Sequence, residues 1–327
     1  MKTLVLFNNK GGVGKTTLVY HLAHMLARLG HRTLAVDLDP QANLTSAFFD
    51  DARLDEIWTE GKESVLASLK PRISGTGDIM PPKPIEVGER IFVVPGELGL
   101  SRFEDRLSQS WPRGFENDES ALRDTSAFYR VIVEAGESTK ATLALIDVGP
   151  NLGAINRAAL LCADHLLVPL AADLFSLQGL RNLGPTVGKW RMDWRMVQGL
   201  SSVPFGLPRG ELAPIGYVIL QHVERFDRPV KQYAKWVERI PGVYHEEVLG
   251  EAANAEIPSP DPACLARLRH YRSLMPMALD ARKPMFDLKA ADGAIGSHAA
   301  LVRSCFDDFE ELAKRVADRC GLEPHEA

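Results

Sequence analysis

Eight consecutive residues, Lys10-Gly11-Gly12-Val13-Gly14-Lys15-Thr16-Thr17, have the types and spacing needed to hold a polyphosphate. Gly11, Gly12 and Gly14 let the backbone bend round an anion with its N–H groups turned inward. Val13 and Thr17 belong to the same wrap of main chain, so the binding stretch runs from Gly11 to Thr17. Lys15 is placed to reach the β- and γ-phosphates, and the Thr16 hydroxyl to ligate Mg²⁺. The other reading is a glycine-rich turn that binds nothing. The strict G-x-x-x-x-G-K-[ST] pattern is broken once, where Asn9 stands in place of the first glycine.

Carboxylates suited to a metal and a water lie further on. Asp37 and Asp39 are two residues apart at the end of an apolar run, and on extended chain such neighbours point the same way. Both would then face the metal and the attacking water; the alternative is an Asp-Pro turn that caps the next helix. Leu143-Ala144-Leu145-Ile146-Asp147 is an apolar strand ending in one carboxylate, an arrangement that delivers an Asp to the water shell of Mg²⁺. These groups predict binding of ATP with Mg²⁺ and hydrolysis of the nucleotide.

The elements that must position them are legible from periodicity. Thr3–Phe7 is a short β-rich apolar run, and Leu18, Leu22, Met25 and Leu29 fall on one face of a helix that Gly30 stops. Thr33–Val36 leads into Asp37 as a second strand, which makes a βαβ unit and predicts a parallel sheet. Further buried strands are read at Ile91–Val94, Leu143–Ile146, His165–Val168 and Ile215–Leu220. A last long helix is read over Ser297–Arg319, with Val302, Phe306, Phe309, Ala313 and Val316 as its apolar stripe. Residues 70–90 and 196–214, rich in Pro and Gly, read as loops. The predicted fold is α/β: a P-loop NTPase with a mostly parallel central sheet and helices on both faces. Residues 1–327 read as a single domain.

At Lys10 the sequence resembles the ParA/MinD group of deviant Walker ATPases, whose loop is K-G-G-x-G-K-[ST]. The stretch Asp37-Leu38-Asp39-Pro40-Gln41-Ala42-Asn43 is similar to the second motif of ParA-like partition ATPases, and Ala163–Leu180 and Ala281–Leu288 also resemble that family. The resemblance implies that Lys10 reaches the nucleotide bound by a partner subunit and so couples ATP to homodimer formation. It also implies that Asp39 orients the hydrolytic water, that Asp37 supports Mg²⁺ through its water shell, and that Gln41 and Asn43 belong to a nucleotide-sensitive switch. Two departures stand out. The family's D-x-P-P is here Asp147-Val148-Gly149-Pro150, and the family's adenine-reading Asn is missing, with Gln221 in that neighbourhood. Residues 51–139 and 186–277 carry no clear resemblance and read as insertions.

Composition limits what ATP is used for. The net charge of −5 makes DNA contact a matter of local patches on an acidic protein. Candidate cations are Lys189, Arg191 and Arg195 with Trp190 and Trp194, then Arg225, Arg228, Lys231 and Lys235, then Arg267, Arg269 and Arg272; each set also reads as a solvated helix face. Cys162, Cys264, Cys305 and Cys320 lack C-x-x-C spacing, which suits thiols in a reducing compartment better than a disulfide framework or a zinc site. The residues before Asp164 offer only Cys162 to a bridging iron–sulfur cluster, which argues against one. No run approaches the roughly 18 apolar residues of a membrane span, so a cytoplasmic protein is expected. His21 and His24 read as packing or surface residues of the first helix. The resemblance implies non-specific DNA and a ParB-like activating protein as partners, with slow hydrolysis as a release step. Two alternatives stay open: a regulatory ATPase module that binds protein without DNA, and a MinD-like ATPase at a membrane, which the acidic residues near the C-terminus disfavour.

Overall fold

The computed structural model describes residues 1–220, 230–253 and 256–323. The chain begins with β1 (Lys2–Leu6), the glycine loop, α1 (Lys15–Arg28) and β2 (Thr33–Asp37). It continues through α2 (Asn43–Phe48), α3 (Asp51–Glu60), α4 (Val65–Ser74), β3 (Ile85–Gly88) and β4 (Ile91–Val94). Next come α5 (Phe103–Gly114), α6 (Glu119–Thr125), α7 (Ala127–Thr139), β5 (Leu143–Asp147), α8 (Ala154–Leu161), β6 (His165–Ala171) and α9 (Leu174–Leu200). The last elements are β7 (Ala213–Leu220), α10 (Val230–Glu247), β8 (Cys264–Leu268), α11 (Leu274–Ala281) and α12 (Ser297–Arg319).

Among the described residues the strands form one eight-stranded sheet in the order β3-β4-β2-β5-β1-β6-β7-β8. All pairings are parallel except β3 with β4. Alternation along the strands feeds two cores, one on each face. Val5, Val36, Ile146 and Val168 point into the core covered by α4, α5, α7, α8, α9 and α10. Leu4, Leu6, Ala35 and Leu145 point into the other, covered by α1, α11 and α12. His21 and His24 belong to the packing there: the His21 ring stacks on Phe309 and the His24 ring on Phe48.

Several sequence expectations are corrected. The segment 70–90 is not simply loop, because α4 runs through Pro71 to Ser74 and Ile85–Gly88 pairs as an edge strand. Only Ile85 and Val87 carry the alternation, and Pro81, Pro82 and Pro84 hide it; an edge is where such a proline-flanked strand is tolerated. The segment 196–214 likewise yields its first residues to α9 and its last two to β7. The short strand β8, Cys264–Leu268, escapes periodicity because Arg267 interrupts its apolar pattern. The strand at His165 extends through Pro169 to Ala171; beyond the β1–β6 pairing, Asn8 Nδ2 donates to the Pro169 carbonyl at 2.7 Å.

A third, smaller core joins the two segments that carry no clear resemblance. Leu122, Leu161, Trp194 and Val197 are buried together, with Trp111 and Phe205 packed on them. Trp194 Nε1 donates to the Pro208 carbonyl at 2.8 Å. Trp194 is therefore unavailable as part of a basic, aromatic nucleic-acid patch, and Lys189 is ion-paired with Asp193 at 2.8 Å. Arg269 faces Asp308 at 3.4 Å. Arg225 and Arg228 lie outside the described residues, as does the side chain of Lys231.

Candidate functional site

The glycine loop connects the carboxyl end of central strand β1 to α1. In open α/β sheets ligands collect at the carboxyl ends of strands. Gly12 and Gly14 have φ of 72° and 86°, left-handed values that a side chain would strain. At Gly14 an added Cβ would also lie 3.1 Å from Leu220 Cδ1. Helix α1 starts with no side-chain cap and no acidic residue in its first turn, which leaves its N-terminal dipole to the loop.

Gly11, Gly12, Val13, Gly14, Lys15, Thr16 and Thr17 all line one cavity of about 570 Å³. Asp39, Gln41 and Asn43 line it from the β2 side and Pro150 from the β5 side. Beside it, an apolar recess of about 110 Å³ is walled by Leu220, Leu268, Tyr271, Met275 and Phe309. A larger concavity of about 1100 Å³ opens around Lys2, Lys140, Asp164 and Arg209. It lies at the amino ends of the strands, away from the glycine loop, and the chemistry is assigned to the smaller one.

Lys15 is buried, with 7% of its surface exposed. Burial pulls its pKa down, while Asp147 and Asp39 hold the ammonium form. Thr16 Oγ1 donates to Asp147 Oδ2 at 2.7 Å. Asp147 is fully buried, and its second oxygen, Oδ1, has no hydrogen-bond partner. Burial, and then the nearby Asp37, raise the Asp147 pKa against the opposing pull of Thr16 and Lys15. A hydroxyl joined to a buried carboxylate with an orphaned oxygen fits a hydrated Mg²⁺, which keeps several waters and takes few protein ligands. Among the described residues no cluster of three or more His, Cys, Asp or Glu side chains offers a full protein cage.

Asp37 and Asp39 are not a matched pair. Asp37 ends β2 directly beside Asp147 in register, fully buried. Its Oδ2 accepts from Thr45 N at 2.8 Å and Thr45 Oγ1 at 2.7 Å, and its Oδ1 accepts from Asp39 N at 3.2 Å. Thr45 Oγ1 in turn accepts from Gly96 N at 2.8 Å. Asp37 thus ties the β2 loop to the start of α2 and to the end of β4, and only Asp39 of the two reaches the cavity wall. Strand geometry ends at Asp37, so the i, i+2 argument fails beyond it. Asp39 Oδ1 accepts from Gln41 N at 3.0 Å, and a Cβ at Gly149 would lie 3.3 Å from that oxygen.

Lys10 stands outside the cavity. Its Nζ is paired with Asp173, which also caps α9 by accepting from Ser176 N at 2.8 Å. The ammonium lies 5.7 Å from the centre of the Phe175 ring, and that residue is 71% exposed. Gln221 lies outside the described residues. The sequence reading missed Thr45, Gly96, Asp173 and Glu104, whose carboxylate caps the helix that follows the Asp147 loop. Of these only Asp173 had a local signal, the D-x-x-S of a helix cap.

Comparison with known proteins bears on the family and the fold. A family model described as AAA domain matches residues 1–196, a span that includes the segment 51–139 set apart above. Protein IncC of Escherichia coli is 31% identical over 204 residues, which is 62% of this chain and 50% of that protein. The chromosome partitioning protein ParA of Myxococcus xanthus is 32% identical over 186 residues, 57% of this chain and 58% of that protein. The chain spans less than two thirds of the length of these curated relatives. Among solved structures, protein DIP2308 of Corynebacterium diphtheriae superposes with a TM-score of 0.68 at 24% identity, covering 98% of both chains. A single-residue variant of McdA from Cyanothece, in complex with ATP, superposes with a TM-score of 0.64 at 17% identity, over 100% of this chain and 99% of that one. At these identities the structural likeness is one of fold. The family match over most of the chain's length, laid on a loop, sheet and carboxylates that agree with it, places this protein in the ParA/MinD partition family of P-loop ATPases.

Proposed function

We propose that the protein hydrolyses Mg-ATP, pairs with a second copy while ATP is bound, and uses hydrolysis to release whatever the pair has gripped. The observation that carries this reading is the contact of Thr16, which lines the cavity together with Asp39, to the buried Asp147 with its unpartnered oxygen. Lys15 and the N-terminus of α1 neutralise and orient the phosphates. Mg²⁺, when bound, withdraws charge from the β- and γ-oxygens, and Thr16 and Asp147 are the residues that would hold it, Asp147 through water. Asp39 orients the attacking water by accepting its hydrogen bond. Asp37 serves by fixing the backbone that carries Asp39.

Lys10 is read as the group that reaches the partner's phosphates; its release from Asp173 is part of pairing. Proteins named for partition among the relatives support DNA or cargo positioning, with non-specific DNA and an activating protein of the ParB kind as partners. Gln221 is kept as the neighbour of the base. The membrane alternative is disfavoured because Phe309, Leu312, Ala313 and Val316 of α12 are buried in the core rather than presented to lipid. No helix among the described residues is long and apolar enough to cross a membrane.

The test is Asp39→Ala. Sedimentation with Mg-ATP is expected to show a persistent dimer for the variant and a decaying one for the native protein. A variant that stays monomeric, or that hydrolyses at the native rate, would overturn the assignment.

A further inference from the structure

Segment 51–139 touches the helix that follows the Asp147 loop through one carboxylate. Glu104, on α5, accepts from Ala154 N at 2.6 Å through Oε1 and from Ile155 N at 2.8 Å through Oε2. These are the first two N–H groups of α8, whose own cap position, Gly153, supplies no side-chain acceptor. A charged acceptor on two orphan amides is a strong form of helix cap. Gly153 leaves room for it: a Cβ there would fall 2.6 Å from Glu104 Oε1.

Helix α8 leaves the loop that follows Asp147, and its first turn holds that loop in shape. Asn156 Nδ2 donates to the Gly149 carbonyl at 2.8 Å and to the Asn151 carbonyl at 2.6 Å. Gly149 is the residue at which an added Cβ would fall 3.3 Å from Asp39 Oδ1, so this backbone runs close beside that carboxylate. The other end of the linkage is rigid as well. On α5, Arg106 and Ser110 donate to Asp124 Oδ2 at 2.9 and 3.0 Å, and Arg72 of α4 donates to Asp124 Oδ1 at 2.6 Å. Arg157 of α8 lies 4.2 Å over the Trp111 ring of α5.

We propose that Glu104 is a positioning residue for hydrolysis: it fixes α8, and through Asn156 the loop 148–153, so that helices α4–α6 set the backbone against which Asp39 works. A load applied to those helices would then change turnover without touching the nucleotide. The proposal rests on the ATPase reading above for its kinetic part and on backbone geometry alone for the rest.

The test uses the full chain with Glu104→Ala, Glu104→Gln and Gly153→Ala. For Glu104→Ala, kcat is expected to fall about tenfold, the effect of one transition-state interaction, while KM for ATP stays within about twofold. Glu104→Gln, which keeps one acceptor oxygen, is expected to recover part of kcat, and Gly153→Ala to reproduce the loss by displacing the carboxylate. Hydrogen exchange without nucleotide reads the linkage independently: the amides of Ala154 and Ile155, and that of Gly153, which donates to Asn151 Oδ1 at 2.8 Å, are expected to lose protection together. Unchanged exchange at position 153 would overturn the proposal, as would kcat and KM falling in step with melting temperature in all three variants. A native protein that binds no nucleotide would instead sink the ATPase reading, and the exchange result would still decide the role of Glu104.

Discussion

The two oxygens of Asp147 have different surroundings: Oδ2 accepts the Thr16 hydroxyl, and Oδ1 accepts nothing. A buried carboxylate left half satisfied is costly unless a ligand completes it. From this follows a prediction about Thr16. Mg²⁺ is expected to raise ATP affinity in the native protein by about tenfold or more and to have little effect in Thr16→Ala, since the hydroxyl is a direct ligand in the assigned site. Fluorescent-nucleotide titrations with Mg²⁺ and with EDTA check this; an equal Mg²⁺ effect in both proteins would remove Thr16 from the metal's shell. At this scale Gly11–Thr17 and Asp147 were legible in the sequence because each chemical role there is local to a few consecutive residues. Thr45, Asp173 and Glu104 were not. Thr45 lies eight residues from Asp37, but nothing in that window fixes the turn that joins them; Glu104 meets Ala154 from 50 residues away, and Asp173, though its helix-cap signal is local, meets Lys10 from 163 residues away.

Among the elements, α1 and α12 meet over an aromatic cluster that encloses His21. Its ring makes two bonds, Nδ1 to the Thr17 carbonyl at 2.7 Å and Nε2 from Met285 N at 3.0 Å, which fixes the neutral tautomer. Burial drives its pKa from 6.5 down to about 4, and the same cause takes His24 to about 4. Between those values the unfolded chain binds protons that the folded chain does not. The histidines' contribution is therefore complete above about pH 6.5 and is lost as pH falls towards 4. Melting temperature is expected to drop over that interval, and His21→Gln to flatten the slope; an unchanged slope would show that His21 titrates normally. The small core round Trp194 gives a second test. Trp194→Ala is expected to cost about 3–5 kcal/mol in urea denaturation, by the cavity left and the Pro208 bond lost. Elements with strong periodicity were readable, and Ser297–Arg319 has the predicted ends. Edge strand β3 and short β8 were not, since two or three apolar residues interrupted by Arg or flanked by Pro do not outweigh the turn signals around them.

At the scale of the whole molecule, Lys10 and the exposed Phe175 lie side by side outside the cavity, and the acidic net charge confines any DNA contact to patches that pairing would double. DNA retention is expected only with ATP and is expected to vanish with about 100 mM added salt, as counterion release requires; binding indifferent to both would contradict it. Lys10→Ala is expected to keep nucleotide binding and lose ATP-dependent pairing in light scattering. All of this presupposes that the glycine loop binds a triphosphate. The most direct measurement is calorimetric titration of the native protein and of Lys15→Ala with ATP in the presence of Mg²⁺. The account predicts saturable binding of one ATP per chain that weakens about 100-fold or more in the variant, the loss expected for a buried phosphate-binding cation. Equal binding by both proteins, or none by the native one, would contradict it.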